Sequence, residues 1–392
     1  MKTRLYSAIA LAAILSLAAC APKVEITSLN PSALVADEAK YEMVHSLQSV
    51  DSDLFFVMDY TQDYHLDDLL EADVSSLPQM LEFFSDKLLD VQPPVPFTLG
   101  MGAGCSAFAA TDPSTGDFLM GRNYDYCHKV NGVEVPLEAI LVKTAPKGGK
   151  KSISMVDSYW IGYPKGFYTD GKTDLSALMA APFAILDGVN EDGLAVGILH
   201  LSGKPAVQRD STKKSIWCNV VMRAMLDKTA TVEEALEMVR NYNVSMMGPS
   251  SGSYHIFLAD ATGDFAILEY SYAGGQTSGD AVPDRMVALK GDPYRYVTNF
   301  YVDPQMASDE KIGGLSNYGK SRYLTLQDSL TVNAYKLTKE QASALLEAVS
   351  IPEKPEKNAS HTQWSALYNL SRKTLDLSIL RDYGTTYSFR VR

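Results

Sequence analysis

The chain has 392 residues, a net charge of −12 and an isoelectric point near 5.0. Apolar residues make up 46 % of it, enough to bury the core of one large domain or two ordinary ones. The acidic balance excludes nucleic acid as an expected partner, because phosphate binding needs clustered Lys and Arg that this sequence lacks; small molecules or lipids fit better.

Lys2 and Arg4 precede an apolar run from Leu5 to Ala19, broken only by Tyr6, Ser7 and Ser16, which ends in Leu17-Ala18-Ala19-Cys20. The run is shorter than the ~20 residues a membrane-spanning helix needs, and small residues precede Cys20 as an export peptidase requires. Residues 1–20 therefore read as a signal peptide. Leu17 to Cys20 resembles a bacterial lipobox, which implies a lipid anchor on Cys20 and a place on the periplasmic or extracellular face of the cell envelope. Residues 21–36 form a polar, Pro-containing tether. Helical patterns over 38–50 and 66–89 flank a strand pattern over 54–60, so residues 37–104 read as a separate, largely helical segment ahead of a domain over 105–392.

Beyond Gly104 the chain repeatedly sets two apolar runs around a short polar turn. The pairs are Cys105 to Ala110 with Phe118 to Tyr126, Phe183 to Leu186 with Gly193 to Leu201, Tyr254 to Leu258 with Phe265 to Tyr270, and Trp364 to Tyr368 with Thr374 to Leu380. Between them lie helical patterns. Thr231-Val232-Glu233-Glu234 and Thr338-Lys339-Glu340-Gln341 fit the capping box, and Ser215 to Leu226 is amphipathic. Hairpins in series with grouped helices predict antiparallel sheets covered by helices.

In the first hairpin, a turn centred near Ser114 sets Cys105 opposite about Asn123, so that Arg122 and Asp125 fall close to the thiol. If Cys20 carries lipid, Cys105, Cys127 and Cys218 remain, and an odd number cannot all pair in an oxidising compartment. A Cys127–Cys218 disulfide would leave Cys105 free, although the spacing does not establish that bridge.

Cys105-Ser106-Ala107-Phe108 followed by Gly121-Arg122-Asn123-Tyr124-Asp125-Tyr126 resembles the opening of the mature choloylglycine hydrolase family, which includes bile salt hydrolases and penicillin V acylases. It is also similar to acid ceramidases and N-acylethanolamine amidases. The resemblance continues, in family order, through Asn190-Glu191-Asp192-Gly193-Leu194-Ala195-Val196, Val297-Thr298-Asn299, Ser321-Arg322-Tyr323 and Thr362 to Tyr368.

That resemblance implies an α+β fold, the four-layer αββα sandwich of N-terminal-nucleophile (Ntn) hydrolases with antiparallel sheets, and hydrolysis of a linear, non-peptide amide without a cofactor. It implies self-cleavage between Gly104 and Cys105. A thiol with a pKa of about 8.5 then gains its own α-amine, with a pKa of about 8, as a positioned base. By the same match Asp125 orients the α-amine, Arg122 favours the thiolate and Arg322 closes the site electrostatically. Asn299 supplies an oxyanion-hole donor. Asn190 matches a family motif, yet a hairpin turn wants Asn there anyway. His200 stands where bile salt hydrolases commonly have Asn and penicillin acylases Tyr, a departure that leaves the acyl group and the amine open; its backbone amide would complete the oxyanion hole. The expected substrate is an N-acyl amide or conjugated bile-acid-like molecule with an apolar acyl part. The segment over 21–104 is similar in placement to the retained small subunit of ceramidase-type enzymes, an implied partner after cleavage.

Three other readings compete. Acyl transfer shares the same thioester and differs only in what attacks it. A lipid-anchored binding protein without catalysis would leave Gly104 uncut. Gly248-Pro249-Ser250-Ser251-Gly252 satisfies the serine-hydrolase pattern, but a helix precedes it and a strand follows, the reverse of the required elbow. His45, His65, His128, His200, His255 and His361 are scattered without ligand spacing, so no metal site is expected.

Overall fold

The computed structural model describes residues 37–52, 54–89, 104–126, 128–130, 133–135, 138–163, 166–168, 174–201, 206, 208–245, 253–271, 284–308, 318–353 and 360–392. Cys20, Gly102, Cys127 and Ser250 lie outside these residues, and with them the anchor, the Cys127–Cys218 bridge and the serine-hydrolase motif.

In chain order the first elements are α1 (Glu38–Val44), β1 (Gln48–Asp51), β2 (Phe55–Tyr60), α2 (Leu66–Glu71) and α3 (Leu77–Phe84). Next come β3 (Gly104–Thr111), β4 (Phe118–Tyr126), β5 (His128–Val130), β6 (Val133–Val135), β7 (Ala139–Thr144), β8 (Ser152–Asp157), β9 (Ile185–Asn190) and β10 (Ala195–Leu201). The chain continues with β11 (Lys214–Trp217), α4 (Cys218–Lys228), α5 (Val232–Val239), β12 (Tyr242–Ser245), β13 (Ser253–Ala259), β14 (Phe265–Ser271), β15 (Arg285–Leu289) and β16 (Tyr296–Val297). It closes with α6 (Pro304–Ala307), α7 (Lys320–Val332), α8 (Lys339–Ala348), β17 (His361–Asn369), β18 (Thr374–Ile379) and β19 (Tyr387–Arg390).

Two sheets carry the fold. One has nine strands in the order β1-β2-β7-β8-β9-β10-β13-β14-β15, the other six in the order β16-β3-β4-β17-β18-β19. They face each other across one continuous core in which Met120, Tyr124 and Trp364 from the smaller sheet join Met155, Val189 and Phe257 from the larger. Helix α4 covers the outer face of the larger sheet over β9 and β10, with α5 packed beside it, while α7 and α8 close a second apolar cluster with Phe108, Ala110, Leu119 and Leu367 on the outer face of the smaller. This is the four-layer αββα sandwich. Each layer follows from residue choice, since β3 alternates Ala107 and Ala109 toward the partner sheet with Phe108 and Ala110 toward the helices.

All four predicted hairpins form, as β3/β4, β9/β10, β13/β14 and β17/β18. Thr338 and Gln341 make the complete capping box of α8. At α5 only half the box forms: Thr231 accepts from the Glu234 N–H, but the Glu234 side chain reaches the Ala230 N–H instead. Three helical patterns break. Glu38 to Val50 is helical only to Val44 and then becomes β1; Leu66 to Leu89 splits into α2 and α3; Lys214–Trp217 pairs in parallel with β12 before α4 begins at Cys218. The residues before Cys105, set apart by their pattern, are woven into the larger sheet through β1 and β2. The β2/β7 pairing is parallel, where the rest of the two large sheets is antiparallel. Tyr64 adds a hydrogen bond from its hydroxyl to the buried Asp227 on α4.

The β9/β10 turn depends on Asn190. Its side-chain oxygen accepts from the backbone N–H groups of Asp192, Gly193 and Leu194 at 3.0–3.1 Å, and its amide donates to the carbonyls of Leu226 at 3.0 Å and Thr229 at 2.7 Å. We expect Asn190→Ala to strip these bonds and lower stability by roughly 3 kcal/mol, since each buried group left unpaired costs about 1–3 kcal/mol. The midpoint of urea unfolding measures this, and an unshifted midpoint would exclude Asn190 as the clamp of the turn.

Candidate active site

Cys105 sits second in β3, buried to 3 % exposure. The β3/β4 register pairs Cys105 with Tyr124, Gly104 with Asp125 and Ala107 with Arg122, one step from the expected pairing with Asn123. The tight turn begins at Asp112, whose carbonyl accepts from the Gly116 N–H, and its side chain caps Ser114, so the hairpin centre shifts by half a step. The slip decides the chemistry because side chains alternate. Residues 105, 122 and 124 share the face toward the larger sheet, whereas Asp125 and Asn123 share the opposite face with Ser106.

On the inner face Arg122 is fully buried. Its Nη1 pairs with the Asp187 carboxylate at 2.8 Å, and its Nη2 donates to the Ile198 carbonyl at 2.7 Å and lies 3.8 Å from the Cys105 Sγ. Asp187 also accepts from Trp364 Nε1 at 3.1 Å and from the Tyr368 hydroxyl. Gly197 makes room for the guanidinium arm, since a Cβ there would lie 3.0 Å from the Arg122 Cδ. Burial pushes the Cys105 thiol above its ordinary value, while the Arg122 charge pulls it down. Burial likewise raises Asp187 against the lowering effect of Arg122.

On the other side the Cys105 N–H donates to Asn299 Oδ1 at 2.7 Å. Arg322 Nη2 donates to the same oxygen at 2.8 Å, and its Nη1 reaches the Cys105 carbonyl, the Ser106 hydroxyl at 3.0 Å and the Asp125 carboxylate at 3.4 Å. Asn299 Nδ2 donates to the His200 carbonyl at 2.9 Å, bridging to β10. Asp125 takes a further hydrogen bond from the Thr362 hydroxyl, and burial raises its pKa despite Arg322. In this uncut chain the nitrogen of Cys105 is therefore held by Asn299, and the Asp125 carboxylate is held by Arg322 and Thr362 one register step away. Gly104 is walled in: a Cβ would meet Ile351 at 2.9 Å, and Asp125 and the Tyr318 hydroxyl at 3.1 Å.

The structure thus brings Cys105, Arg122, Asp125, Asn299 and Arg322 together around Gly104, with the His200 carbonyl beside Asn299. The His200 ring is elsewhere. Alternation along β10 puts Gly197 toward Arg122 and His200 on the opposite face, edge-on to Tyr254, where burial lowers its pKa to about 4. Asn190 is not part of the cluster, since it faces α4 from the outer side of β9. Sequence reasoning missed Asp187, the counter-charge of Arg122; the signal was a lone carboxylate inside the apolar strand Ile185-Leu186-Asp187. Among the described residues no three His, Cys, Asp or Glu side chains are grouped to hold a metal ion.

Residues 112–381 match the family model described as acyl-coenzyme A:6-aminopenicillanic acid acyl-transferase. A penicillin V acylase of Pectobacterium atrosepticum is 26 % identical over 193 residues, which are 45 % of this chain and 47 % of that protein. The chain thus spans about half the length of the curated relative it matches. Similar solved structures include penicillin V acylase from Agrobacterium tumefaciens, at 20 % identity and a TM-score of 0.47 over 73 % of this chain and 85 % of that one. A mutant of the conjugated bile acid hydrolase from Clostridium perfringens is similar at 15 % identity and a TM-score of 0.48, over 73 % and 92 %. With a family model matched over most of its length, the chain belongs to the acyl-coenzyme A:6-aminopenicillanic acid acyl-transferase family.

Proposed function

We propose that this protein is an exported, lipid-anchored amidohydrolase that cuts itself between Gly104 and Cys105 and then hydrolyses a linear amide with an apolar acyl part. The observation that carries the reading is at Cys105 itself, where both reacting groups already have partners: the nitrogen on Asn299 and the thiol beside Arg122. In self-cleavage Sγ attacks the Gly104 carbonyl carbon, the bond to the Cys105 nitrogen breaks, and that nitrogen takes the thiol proton. Water then splits the thioester, leaving a Gly104 carboxylate and a free Cys105 α-amine. In turnover the α-amine accepts the thiol proton, Sγ attacks the substrate carbonyl, the amine leaves with a proton, and water releases the acid. Asn299 has a second Nδ2 hydrogen to offer the oxyanion, Arg322 holds Asn299 in place, and Arg122 favours the thiolate. Asp125 lies next to Gly104 across the ladder, close enough to orient the α-amine once the bond is gone.

Intact mass and N-terminal analysis of a soluble form beginning at residue 21 should give a new N-terminus at Cys105. Cys105→Ala should stay whole and lose hydrolysis of penicillin V, a conjugated bile acid and a long-chain N-acyl amide. A wild-type chain that remains whole and unreactive would move the protein to the binding class. Because β2 and Tyr64 are built into the larger domain, the cut segment should co-elute with residues 105–392 on gel filtration and separate only in denaturant. Separation in native buffer would show that the segment is a discarded pro-piece.

Acyl transfer is the second reading, favoured by the family description itself, which names a transferase. An added amine acceptor distinguishes the two. Hydrolysis predicts free acid as the dominant product at millimolar amine; a product that is mostly new amide would establish transfer.

A further inference from the structure

Asn299 accepts the hydrogen bond from the nitrogen of Cys105, and it sits on the stretch between β16 and α6. A buried pair on two strands of the opposite sheet fastens this stretch. His255 on β13 and Glu269 on β14 have no exposure. The His255 Nδ1 lies 2.9 Å from Glu269 Oε1, and its Nε2 lies 2.8 Å from the carbonyl oxygen of Thr298, the residue before Asn299. Glu269 then accepts the Val302 N–H at 3.1 Å and the Asp303 N–H at 2.9 Å, on the far side of Asn299. The pair therefore grips the chain both before and after the residue that meets the nucleophile.

The proton inventory is constrained. The Thr298 carbonyl can only accept, so Nε2 must carry a hydrogen. The Glu269 carboxyl accepts from two backbone donors, and both of them lie within reach of its Oε2, which leaves Oε1 for His255 Nδ1. We infer that His255 and Glu269 are positioning residues, a buried hydrogen-bonded clamp that sets Asn299 against the Cys105 nitrogen for both self-cleavage and amide hydrolysis. This rests on Cys105 being the nucleophile. Neither residue touches the reacting atoms. Their effect runs through the backbone at Thr298, Val302 and Asp303.

Hydrogen-bond logic selects the variants. In Glu269→Gln an amide nitrogen in the place of Oε1 donates to an unprotonated His255 Nδ1, while the oxygen in the place of Oε2 keeps Val302 at 3.2 Å and Asp303 at 2.9 Å, so every partner is kept. In Glu269→Ala those bonds vanish. In His255→Asn the side chain is too short to reach both Glu269 and Thr298. The experiment uses the chain from residue 21, followed by self-cleavage rate, by kcat and KM for penicillin V, and by amide hydrogen exchange over residues 296–303. We expect Glu269→Gln to stay within about threefold of wild type. His255→Asn and Glu269→Ala should lose about tenfold or more in cleavage rate and kcat with KM little changed, because a displacement of about 1 Å at a reacting centre can cost as much as 10²-fold. Exchange over 296–303 should rise in the same two variants.

Folded His255→Asn or Glu269→Ala protein with wild-type rates and exchange would overturn the clamp. So would a Glu269→Gln chain as impaired as Glu269→Ala. If the disruptive variants do not fold, nitrogen NMR of the wild-type ring decides, since the clamp requires a hydrogen on Nε2 and a bare Nε2 would refute it. If the wild type neither cuts itself nor hydrolyses an amide, yet exchange rises in the variants, the clamp stands and the catalytic reading falls.

Discussion

Arg122 carries a guanidinium into a place with no exposure, and the geometry around the thiol depends on that being tolerable. A buried charge without a partner is expensive; breaking such a pair costs about 3–5 kcal/mol. Asp187 supplies the counter-charge from the larger sheet, while Trp364 and Tyr368 from the smaller sheet hold Asp187. The ion pair is therefore also a tie across the sandwich. Arg122 belongs to β4 and its partner to β9, so the spacing between the sheets at this point is fixed by a 2.8 Å contact rather than by soft apolar packing alone.

That tie explains how much of the site could be read from the sequence. The hairpin of Cys105, Arg122 and Asp125 is local, and alternation plus turn signals place it to within one register step. The remaining step needed the Asp112 turn geometry, which spacing alone does not fix. The blocks around Asn299, Arg322 and Thr362 were legible through their resemblance to a family, because nothing in their local pattern says that residues far apart in the chain converge on Gly104. Asp187 was not legible as the partner of Arg122, and although His255 and Glu269 fall on the two arms of a predicted hairpin, their hold on Thr298, Val302 and Asp303 was not legible either. Each acquires meaning only from the strand that faces or adjoins it, and sequence order does not reveal that β10 lies between β9 and β13.

The helical misassignments share a cause. Glu38 to Val50 and Ser215 to Leu226 each have a helical pattern that propensity continues, but the edge of the larger sheet captures the end of one as β1, and β12 pairs with the start of the other as β11. Tertiary pairing outweighs local preference where a free edge is at hand.

The parallel β2/β7 ladder has a consequence for the order of events. A parallel pair needs a long crossover to bring its strands together, and here the crossover is the stretch that contains Gly104 and Cys105. Under the proposed cut, the mature sheet would run unbroken across two polypeptides with no covalent link between β2 and β7. Its assembly would be unimolecular before the cut and bimolecular after it. The uncut chain is then the species that knows how to fold, and the mature form, once denatured and diluted, has lost the tether that brought its strands into register; its native state would persist by the height of a barrier rather than by ready return to it.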